Sequence, residues 1–325
     1  MSSQLPVIGM MIGDPAGIGP EVSVRAAASH TLDGICRPVL IGDISVVRRA
    51  ADICAVGAEF NPVSDPTQEL PPNTIGVVDP GGFDFQACSF GAASVDSGHA
   101  VLSWIERGET LGREGRLQGL VLGPVESASM LATGRIQVID DLQPAGTYML
   151  RMSGQLRVVP LTEHVTLTEA IAAATPERIF EVIAMADKSL RSWGFAQPRI
   201  AVAGINPHAQ FPQDQERVSP AVQRARAAGV DAHGPLVPDA VFRQCVAGQW
   251  DVVVTMFHDQ GQIAIKTVAF EGACTVYIGL PFVMLNVPHG TAYDIAGQGV
   301  AQHASMLSAE RTAALLATGR PLTAN

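Results

Sequence analysis

Hydrophobic residues along the chain fall into short uninterrupted runs, separated by longer stretches in which apolar positions recur with helical spacing. Short apolar runs are typical of buried parallel strands, and the longer stretches are typical of amphipathic helices. Helices are predicted from about residue 20 and at 45–55, 94–107, 176–193 and 220–228. Strands are predicted at 6–12, 38–41, 74–78, 119–122, 156–161, 199–203 and 250–256. The alternation predicts an α/β fold with mostly parallel sheets and helices on both faces.

The length of the chain favours two domains, because 325 residues exceed the size at which one hydrophobic core usually stops growing. Residues 140–146 are rich in turn-forming residues and are the candidate boundary. We therefore expect a first α/β domain of residues 1–140 and about 300–325, with the end of the chain folding back onto it. Residues 141–299 form the predicted second α/β domain.

Composition and charge exclude several classes of partner. The chain is 47% hydrophobic and 16% charged, and its formal net charge of −10 is unfavourable for binding nucleic acid or an anionic membrane surface. No apolar run approaches the roughly 20 residues of a membrane span, and no secretory signal is evident. The five cysteines are odd in number and form no C-x-x-C pair, which is typical of reduced thiols. We expect a cytoplasmic protein whose partner is a small molecule.

Three histidines each follow the end of a predicted strand: His164, His208 and His258. The carboxyl ends of parallel strands meet at one edge of a sheet, where open α/β folds bind their ligands. Three neutral imidazoles suit zinc, nickel, cobalt or ferrous iron and leave coordination positions for a substrate. Asp259 is a candidate partner for the imidazole of His258 or an acid–base group. The alternative is that each histidine is a solvated loop residue, but three such coincidences favour a metal site.

The segment HGTAYDIAGQG, residues 289–299, combines glycines with other small residues, so its backbone can approach a flat ligand closely. It resembles the loop of β-decarboxylating dehydrogenases, such as isocitrate and isopropylmalate dehydrogenases, that holds the adenine half of NAD or NADP. The alternative is a glycine-rich surface loop. The resemblance assigns cofactor binding to His289, Gly290, Thr291, Ala292, Asp294 and Gly297.

Longer motifs extend the resemblance from end to end. They are GDPAGIGPE at 13–21, AGINPHA at 203–209, GPLVPD at 234–239, HDQG at 258–261 followed by Lys266, and HGTA at 289–292. On these motifs the chain resembles the 4-hydroxythreonine-4-phosphate dehydrogenase (PdxA) family.

This resemblance implies two α/β/α domains like those of isocitrate and isopropylmalate dehydrogenase, with the active-site cleft between the domains and at the interface of a homodimer. It implies one divalent metal, with zinc as first choice, bound by His164, His208 and His258, the third histidine entering from the partner subunit. NAD is the implied electron acceptor, with NADP left open. Lys266 would contact a carboxylate substrate, either as a proton donor to an enolate or as an anchor, and Asp259 would assist as a base.

Several positions depart from the family's pattern for a phosphorylated substrate. Its substrate-contacting histidine is replaced by Gly146. Counted from His258, its asparagine and arginine are replaced by Thr275 and Met284. Loss of the arginine removes the usual partner of a phosphate, at roughly 1.5–3 kcal/mol for each charge-assisted hydrogen bond. We expect a non-phosphorylated substrate that contacts Thr147, Tyr148, Lys266, Thr275 and Met284.

The terephthalate cis-dihydrodiol dehydrogenases are the branch of the family that fits this expectation. The predicted reaction is the NAD- and metal-dependent oxidative decarboxylation of 1,2-dihydroxy-3,5-cyclohexadiene-1,4-dicarboxylate to protocatechuate, CO2 and NADH. Two alternatives stay open. One is oxidation of a phosphorylated hydroxy acid such as 4-hydroxythreonine 4-phosphate or 4-phosphoerythronate, and the other is binding of metal and nucleotide without turnover.

Overall fold

A computed structural model of the chain describes residues 5–268 and 274–320. The chain divides into two compact units: among the described residues, unit 1 comprises 5–143 and 280–318, and unit 2 comprises 144–268, 274–279 and 319–320. Residues 321–325, which we assigned to the first domain, lie outside the described residues. Across the described part of the chain, no helix is both long and apolar enough to cross a membrane.

The described strands of unit 1 lie side by side in the order β3-β4-β2-β1-β5-β12, and neighbouring strands are all parallel. Strand β1 is buried along its whole length, which explains its uninterrupted apolar sequence VIGMM. The strands are β1 (Val7–Met11), β2 (Arg37–Ile41), β3 (Glu59–Pro62), β4 (Thr74–Val78), β5 (Gly119–Leu122) and β12 (Val283–Asn286). The helices are α1 (Gly19–Ala27), α2 (Ile44–Ile53), α3 (Val95–Arg113), α4 (Ser127–Ala132) and α10 (Ala304–Ala317).

The described strands of unit 2 lie in the order β11-β6-β7-β10-β8-β9. The pairs β11–β6 and β6–β7 are antiparallel, and the remaining pairs are parallel. The strands are β6 (Tyr148–Ser153), β7 (Leu156–Pro160), β8 (Arg199–Ala203), β9 (Asp231–Leu236), β10 (Val252–Thr255) and β11 (Cys274–Ile278). The helices are α5 (Leu167–Ala173), α6 (Pro176–Ser192), α7 (Ser219–Ala227), α8 (Pro238–Val246) and α9 (His258–Val268).

The prediction of an α/β fold with mostly parallel strands is confirmed. Each predicted strand is present, with both ends within two residues of the predicted bounds, and each predicted helix is present as well. The structure adds β3, β6, β9, β11 and β12, together with α4, α5, α8, α9 and α10.

The division into units differs from the predicted domains at two places: the loop 289–299, and residues 319–320, which we expected in the first domain and which group with unit 2. We expected the loop 289–299 in the second domain, but residues 280–318 group with unit 1. The physical reason is that β12 pairs with β5, and that Glu21 and Arg25 of α1 form hydrogen bonds with the backbone of residues 297–301. The candidate cofactor loop therefore belongs to unit 1, whereas the three candidate metal ligands belong to unit 2.

Candidate functional site

Two of the three predicted metal-ligating histidines lie together in unit 2. His164 follows β7, His258 follows β10 and begins α9, and these two strands are parallel neighbours. The centroids of the two imidazole rings are 5.1 Å apart. The hydroxyl of Thr162 donates a hydrogen bond to the carbonyl oxygen of Met256 over 3.1 Å, which ties the two strand ends together. Parallel strand pairing thus brings two of the three predicted histidines together.

The imidazole of His258 is oriented by its neighbour in sequence. A carboxylate oxygen of Asp259 lies 2.7 Å from Nδ1 of His258, and the Asp259 side chain is 75% exposed. A carboxylate beside Nδ1 favours the tautomer that carries the proton there, which leaves Nε2 as the nitrogen available to a metal. The role that this arrangement supports for Asp259 is to orient a ligand.

A buried ion pair supports the residue before His164. The guanidinium of Arg151 in β6 donates two hydrogen bonds to the carboxylate of Glu163, at 2.8 and 2.7 Å. Both side chains are nearly buried, with relative exposures of 8% and 12%. Paired, bidentate geometry is what makes such a buried charge tolerable. The pair fixes the backbone that carries His164, and sequence reasoning missed it because the two residues belong to different elements.

His208 lies in a separate loop after β8. Its backbone has the left-handed φ of 62°, which is uncommon for a residue other than glycine and needs support from its surroundings. The buried carboxylate of Asp214 provides that support by accepting hydrogen bonds from the backbone N–H groups of Ile205 (2.7 Å) and Phe211 (3.1 Å). The His208 side chain itself is exposed.

The described residues of one chain do not complete a metal site. In the ranges 5–268 and 274–320, no group of three or more histidine, cysteine, aspartate or glutamate side chains could hold a metal ion. The pair formed by His164 and His258 nevertheless has the donor chemistry of such a site, since both offer imidazole nitrogen and one is oriented by a carboxylate. The remaining ligands would have to come from outside this pair.

The predicted substrate residues of unit 2 differ in what their side chains do. Lys266 is exposed on α9, the helix that begins at His258. Tyr148 is half-buried at the start of β6, and this burial raises the pKa of its hydroxyl. Thr275 is half-buried in β11, opposite Arg151. Thr147 is buried, and its hydroxyl donates a 2.7 Å hydrogen bond to the carbonyl oxygen three residues earlier, which closes its own turn.

Met284 does not have the surroundings of a substrate contact. It lies in β12 of unit 1, is 0% exposed, and is paired in register with Leu120 of β5. We expected this side chain to provide an apolar wall for a ring-shaped substrate. The expectation fails because Met284 is part of the core of its unit. Counting positions along the sequence identifies the residue but does not show whether its side chain is buried.

The glycines of the candidate cofactor loop, residues 289–299, have two different roles. A Cβ atom at Gly297 would lie 2.7 Å from the Phe90 ring, and one at Gly299 would lie 2.8 Å from the carbonyl oxygen of Ile53. Both positions therefore require glycine for packing inside unit 1. A Cβ at Gly290 would meet nothing within 4 Å, so this glycine leaves open space beside the backbone.

The other predicted cofactor residues also differ in their burial and hydrogen bonding. Thr291 is buried, and its carbonyl oxygen accepts a 2.9 Å hydrogen bond from the backbone N–H of Ile18, whereas Asp294 is exposed. Ala292 has a left-handed φ of 41°, which bends the loop. His289 carries a buried Nε2 atom that forms no hydrogen bond. The open space beside Gly290 leaves the backbone of the loop accessible to a flat ligand, whereas the buried Nε2 of His289 is not accessible to one.

Two buried carboxylates of unit 1 were not singled out by sequence reasoning. Asp14 is 0% exposed and accepts a 2.9 Å hydrogen bond from the hydroxyl of Tyr293, and burial raises the pKa of both groups. Glu21 is 1% exposed and accepts hydrogen bonds from the backbone N–H groups of Gly297 and Gly299. Both acids belong to the GDPAGIGPE motif. Their partners lie more than 270 positions away in the sequence, which is why no local pattern could identify them.

Comparison with known proteins gives full-length matches. The family described as "Pyridoxal phosphate biosynthetic protein PdxA" matches residues 34–313. A relative from Novosphingobium aromaticivorans, provisionally named 4-hydroxythreonine-4-phosphate dehydrogenase, is 40% identical over 97% of this chain and 96% of its own length. The D-threonate 4-phosphate dehydrogenase of Cupriavidus necator is 35% identical over 98% of this chain and 100% of its own length.

Solved structures agree with the sequence matches. The 4-hydroxythreonine-4-phosphate dehydrogenase from Burkholderia phymatum has a TM-score of 0.85 and 33% identity, covering 97% of this chain and 99% of that one. The terephthalate 1,2-cis-dihydrodiol dehydrogenase from Burkholderia xenovorans LB400 has a TM-score of 0.75 and 29% identity, covering 98% of this chain and 99% of that one.

These comparisons contradict the predicted dihydrodiol substrate. The relatives at 40% and 35% identity carry names that refer to 4-phosphate substrates, and the B. phymatum structure is more similar than the dihydrodiol dehydrogenase. The prediction of a terephthalate dihydrodiol dehydrogenase is therefore wrong. The alternative of a phosphorylated hydroxy acid has the better support. The alternative without turnover is set aside because the relatives are dehydrogenases.

Proposed function

Because the chain belongs to the PdxA family, whose members are dehydrogenases acting on a CH–OH group, we propose that it oxidises a phosphorylated β-hydroxy acid. The substrate class is that of 4-hydroxythreonine 4-phosphate and D-threonate 4-phosphate. The observation that carries this proposal is the full-length similarity to relatives named for these compounds. We further propose NAD as the acceptor and zinc as the metal.

The metal ligands in this proposal are His164 and His258 of one chain, with His208 supplied by a second copy. Support comes from the 5.1 Å spacing of the first two rings and from the separate position of the His208 loop. When bound, a divalent metal lowers the pKa of a coordinated hydroxyl and NAD accepts a hydride. Asp259 would hold His258 in the tautomer that exposes Nε2.

Lys266 would act on the carboxylate side of the substrate. It is exposed on the same helix as His258, eight residues later, so a substrate held near the imidazoles can reach its ammonium group. Oxidation at the carbon β to a carboxylate gives a β-keto acid, which loses CO2 readily. Lys266 would anchor the carboxylate before this loss or donate a proton to the resulting carbon.

A homodimer follows from the shared metal site. Several exposed apolar side chains lie close in sequence to the candidate ligands or on α9. A surface that a second copy covers is expected to carry such side chains. Their exposures support this proposal: Val165 50%, Leu167 59%, Phe211 50% and Ile263 65%. The cytoplasm is the compartment we propose, because all five cysteines are free thiols.

The phosphate would be held by groups other than those at the three departing positions. Gly146 and Thr275 carry no charge, and Met284 is buried in a strand. Backbone N–H groups and cationic side chains are the usual partners of a phosphate.

A substrate screen tests the proposal directly. Metal-loaded protein is mixed with NAD or NADP and with 4-hydroxythreonine 4-phosphate, D-threonate 4-phosphate or the dephosphorylated form of each, and reduced cofactor is followed by absorbance. We expect kcat/KM for a phosphorylated compound to exceed that of its dephosphorylated form by about 100-fold, since at least one charge-assisted hydrogen bond is lost with the phosphate. Equal turnover of both forms, or no turnover of either, would overturn the substrate class.

A further inference from the structure

We propose that Glu21 is a positioning residue for the cofactor loop, residues 289–299, and that it sets the affinity of the protein for the dinucleotide. The motif to which Glu21 belongs has no role in the proposed reaction, yet its carboxylate reaches this loop. The inference rests on the proposed function for the identity of the ligand, but the geometry that carries it lies entirely within unit 1.

Both oxygens of the Glu21 carboxylate are used by the loop. Oε1 accepts a hydrogen bond from the backbone N–H of Gly297 over 2.6 Å, and Oε2 accepts one from Gly299 over 2.8 Å. The side chain is 1% exposed, so these bonds form away from water. Charge-assisted hydrogen bonds of this kind are about twice as strong as neutral ones. A single side chain thereby fixes two peptide groups of the loop.

Arg25 continues the same contact one helical turn later. Its guanidinium donates hydrogen bonds to the carbonyl oxygens of Gly299 and, over 3.0 Å, of Ala301. Residues four apart lie on the same face of a helix, so α1 presents an acceptor and a donor to the loop together. The N–H of Gly299 is held by Glu21 and its carbonyl oxygen by Arg25.

The loop needs such an anchor because its own conformation is irregular. The left-handed φ angles are 41° at Ala292, 82° at Gly297 and 68° at Gly299, and no regular secondary structure spans residues 289–299. A binding loop that is already fixed in one conformation loses less entropy when its ligand binds. The open side of Gly290 would then be presented to the dinucleotide in a fixed position.

The Glu21→Gln substitution tests the proposal with little change of shape. Glutamine offers one oxygen acceptor, and its amide N–H2 group would face the second backbone N–H. We expect the dissociation constant for NAD, measured without substrate, to rise roughly tenfold, and the KM for NAD to rise similarly while kcat changes by less than about twofold. Hydrogen exchange of the backbone N–H groups of Gly297 and Gly299 should become faster, with exchange in α6 unchanged.

Glu310→Gln is the matched control. Glu310 is also a fully buried carboxylate of unit 1, but its contact is with Cys36 rather than with the loop. Burial raises the pKa of Glu310 to about 8, so at pH 7 the side chain is mostly neutral and glutamine is a close replacement. We expect wild-type affinity for NAD in this variant.

The outcomes separate the two proposals. NAD affinity and amide exchange equal to wild type in Glu21→Gln would overturn the role of Glu21, and so would equal losses of affinity in Glu21→Gln and Glu310→Gln. If the wild-type chain bound neither NAD nor NADP, the proposed function would fail. Amide exchange of residues 297–301 would in that case still decide whether Glu21 orders the loop.

Discussion

Asp14 and Glu21 of unit 1 are used in a different way from Asp259 of unit 2. In unit 1, Asp14 and Glu21 are buried and their carboxylates bond to groups of the loop region. In unit 2, Asp259 is 75% exposed and bonds to a half-buried imidazole, while His164 and His208 are exposed. Buried carboxylates therefore hold the loop of unit 1 in place, whereas the exposed carboxylate of Asp259 orients an imidazole.

This difference separates a loop whose supporting contacts come from its own chain from a histidine pair that is not by itself a three-ligand metal site. The loop of unit 1 is held by hydrogen bonds from α1 of the same unit. The histidines of unit 2 form a pair but no three-ligand group among the described residues, so a metal bound there would need ligands from outside that pair. Variants in the two units should consequently fail for different reasons, and the following predictions test that distinction.

The largest effect is expected from the histidines. Because His164 and His208 are exposed, alanine at either position should leave the thermal midpoint within a few degrees of wild type, as is usual for surface substitutions. Each variant should nevertheless lose metal and at least about a thousandfold in kcat, since both binding and activation of the substrate hydroxyl depend on the metal.

Mixing the two inactive variants then shows whether the site is shared. If one chain supplies His164 and a second copy supplies His208, a mixed dimer contains one intact site, and an equal mixture should regain about a quarter of wild-type activity. No recovery after subunit exchange would show that all ligands come from one chain. His233→Ala is the control, because His233 is another histidine of unit 2 that belongs to no candidate site, and its ring pairs with the carboxylate of Asp231 at 2.7 Å.

Strand positions were predictable because burial on both faces leaves a continuous apolar run. Val252 to Val254 are each 0% exposed in β10, and their sequence alone indicates a buried strand. Two of the missed strands contain residues that interrupt an apolar run. Arg151 in β6 is buried only because Glu163 neutralises it, and β9 contains glycine and proline within DAHGPL. Helix α10 was missed because its start has neither a side-chain cap nor the proline that marks the starts of α1 and α7.

Within the candidate site, the sequence could predict only the residues that come directly after the ends of neighbouring strands. His164 and His258 converge because β7 and β10 are parallel neighbours, and that neighbourhood is implied by an α/β pattern. Substrate contacts that were assigned by counting positions from His258 in the family's pattern were less reliable, as the burial of Met284 shows. The roles of Glu21 and Asp14 could not be predicted, because they depend on hydrogen bonds across more than 270 residues.

The second effect in size concerns the buried ion pair behind His164. Glu163→Gln leaves the guanidinium of Arg151 buried without its counter-charge, and breaking such a pair typically costs about 3–5 kcal/mol of unfolding free energy. Denaturant unfolding measures this loss. Arg199→Gln is the control, because the Arg199–Asp251 pair has the same bidentate geometry but Arg199 is 44% exposed, so a loss below about 1 kcal/mol is expected. Similar losses in the two variants would show that burial is not the source of stability at Arg151.

The smallest predicted effect concerns the hydrogen bond between the hydroxyl of Tyr293 and the buried carboxylate of Asp14 in unit 1. Tyr293→Phe removes the hydrogen bond to Asp14 and should cost about 1–3 kcal/mol, the usual penalty for a buried polar group that loses a partner. Burial raises the pKa of Asp14, and the Tyr293 hydrogen bond opposes that rise by stabilising the carboxylate. In the variant, the pKa of Asp14 in the folded state should therefore rise further.

The sign of the pH dependence follows from linkage. Where the folded chain keeps a proton that the unfolded chain has released, the free energy of unfolding falls as pH rises. The loss caused by Tyr293→Phe should consequently be larger at pH 7 than near pH 4, where Asp14 is protonated to a greater extent in both states. A double-mutant cycle with Asp14→Asn assigns the pH-dependent part to this pair, because that part should vanish when residue 14 cannot ionise. A loss that is the same at both pH values would mean that the contribution of the hydroxyl does not depend on the charge of Asp14.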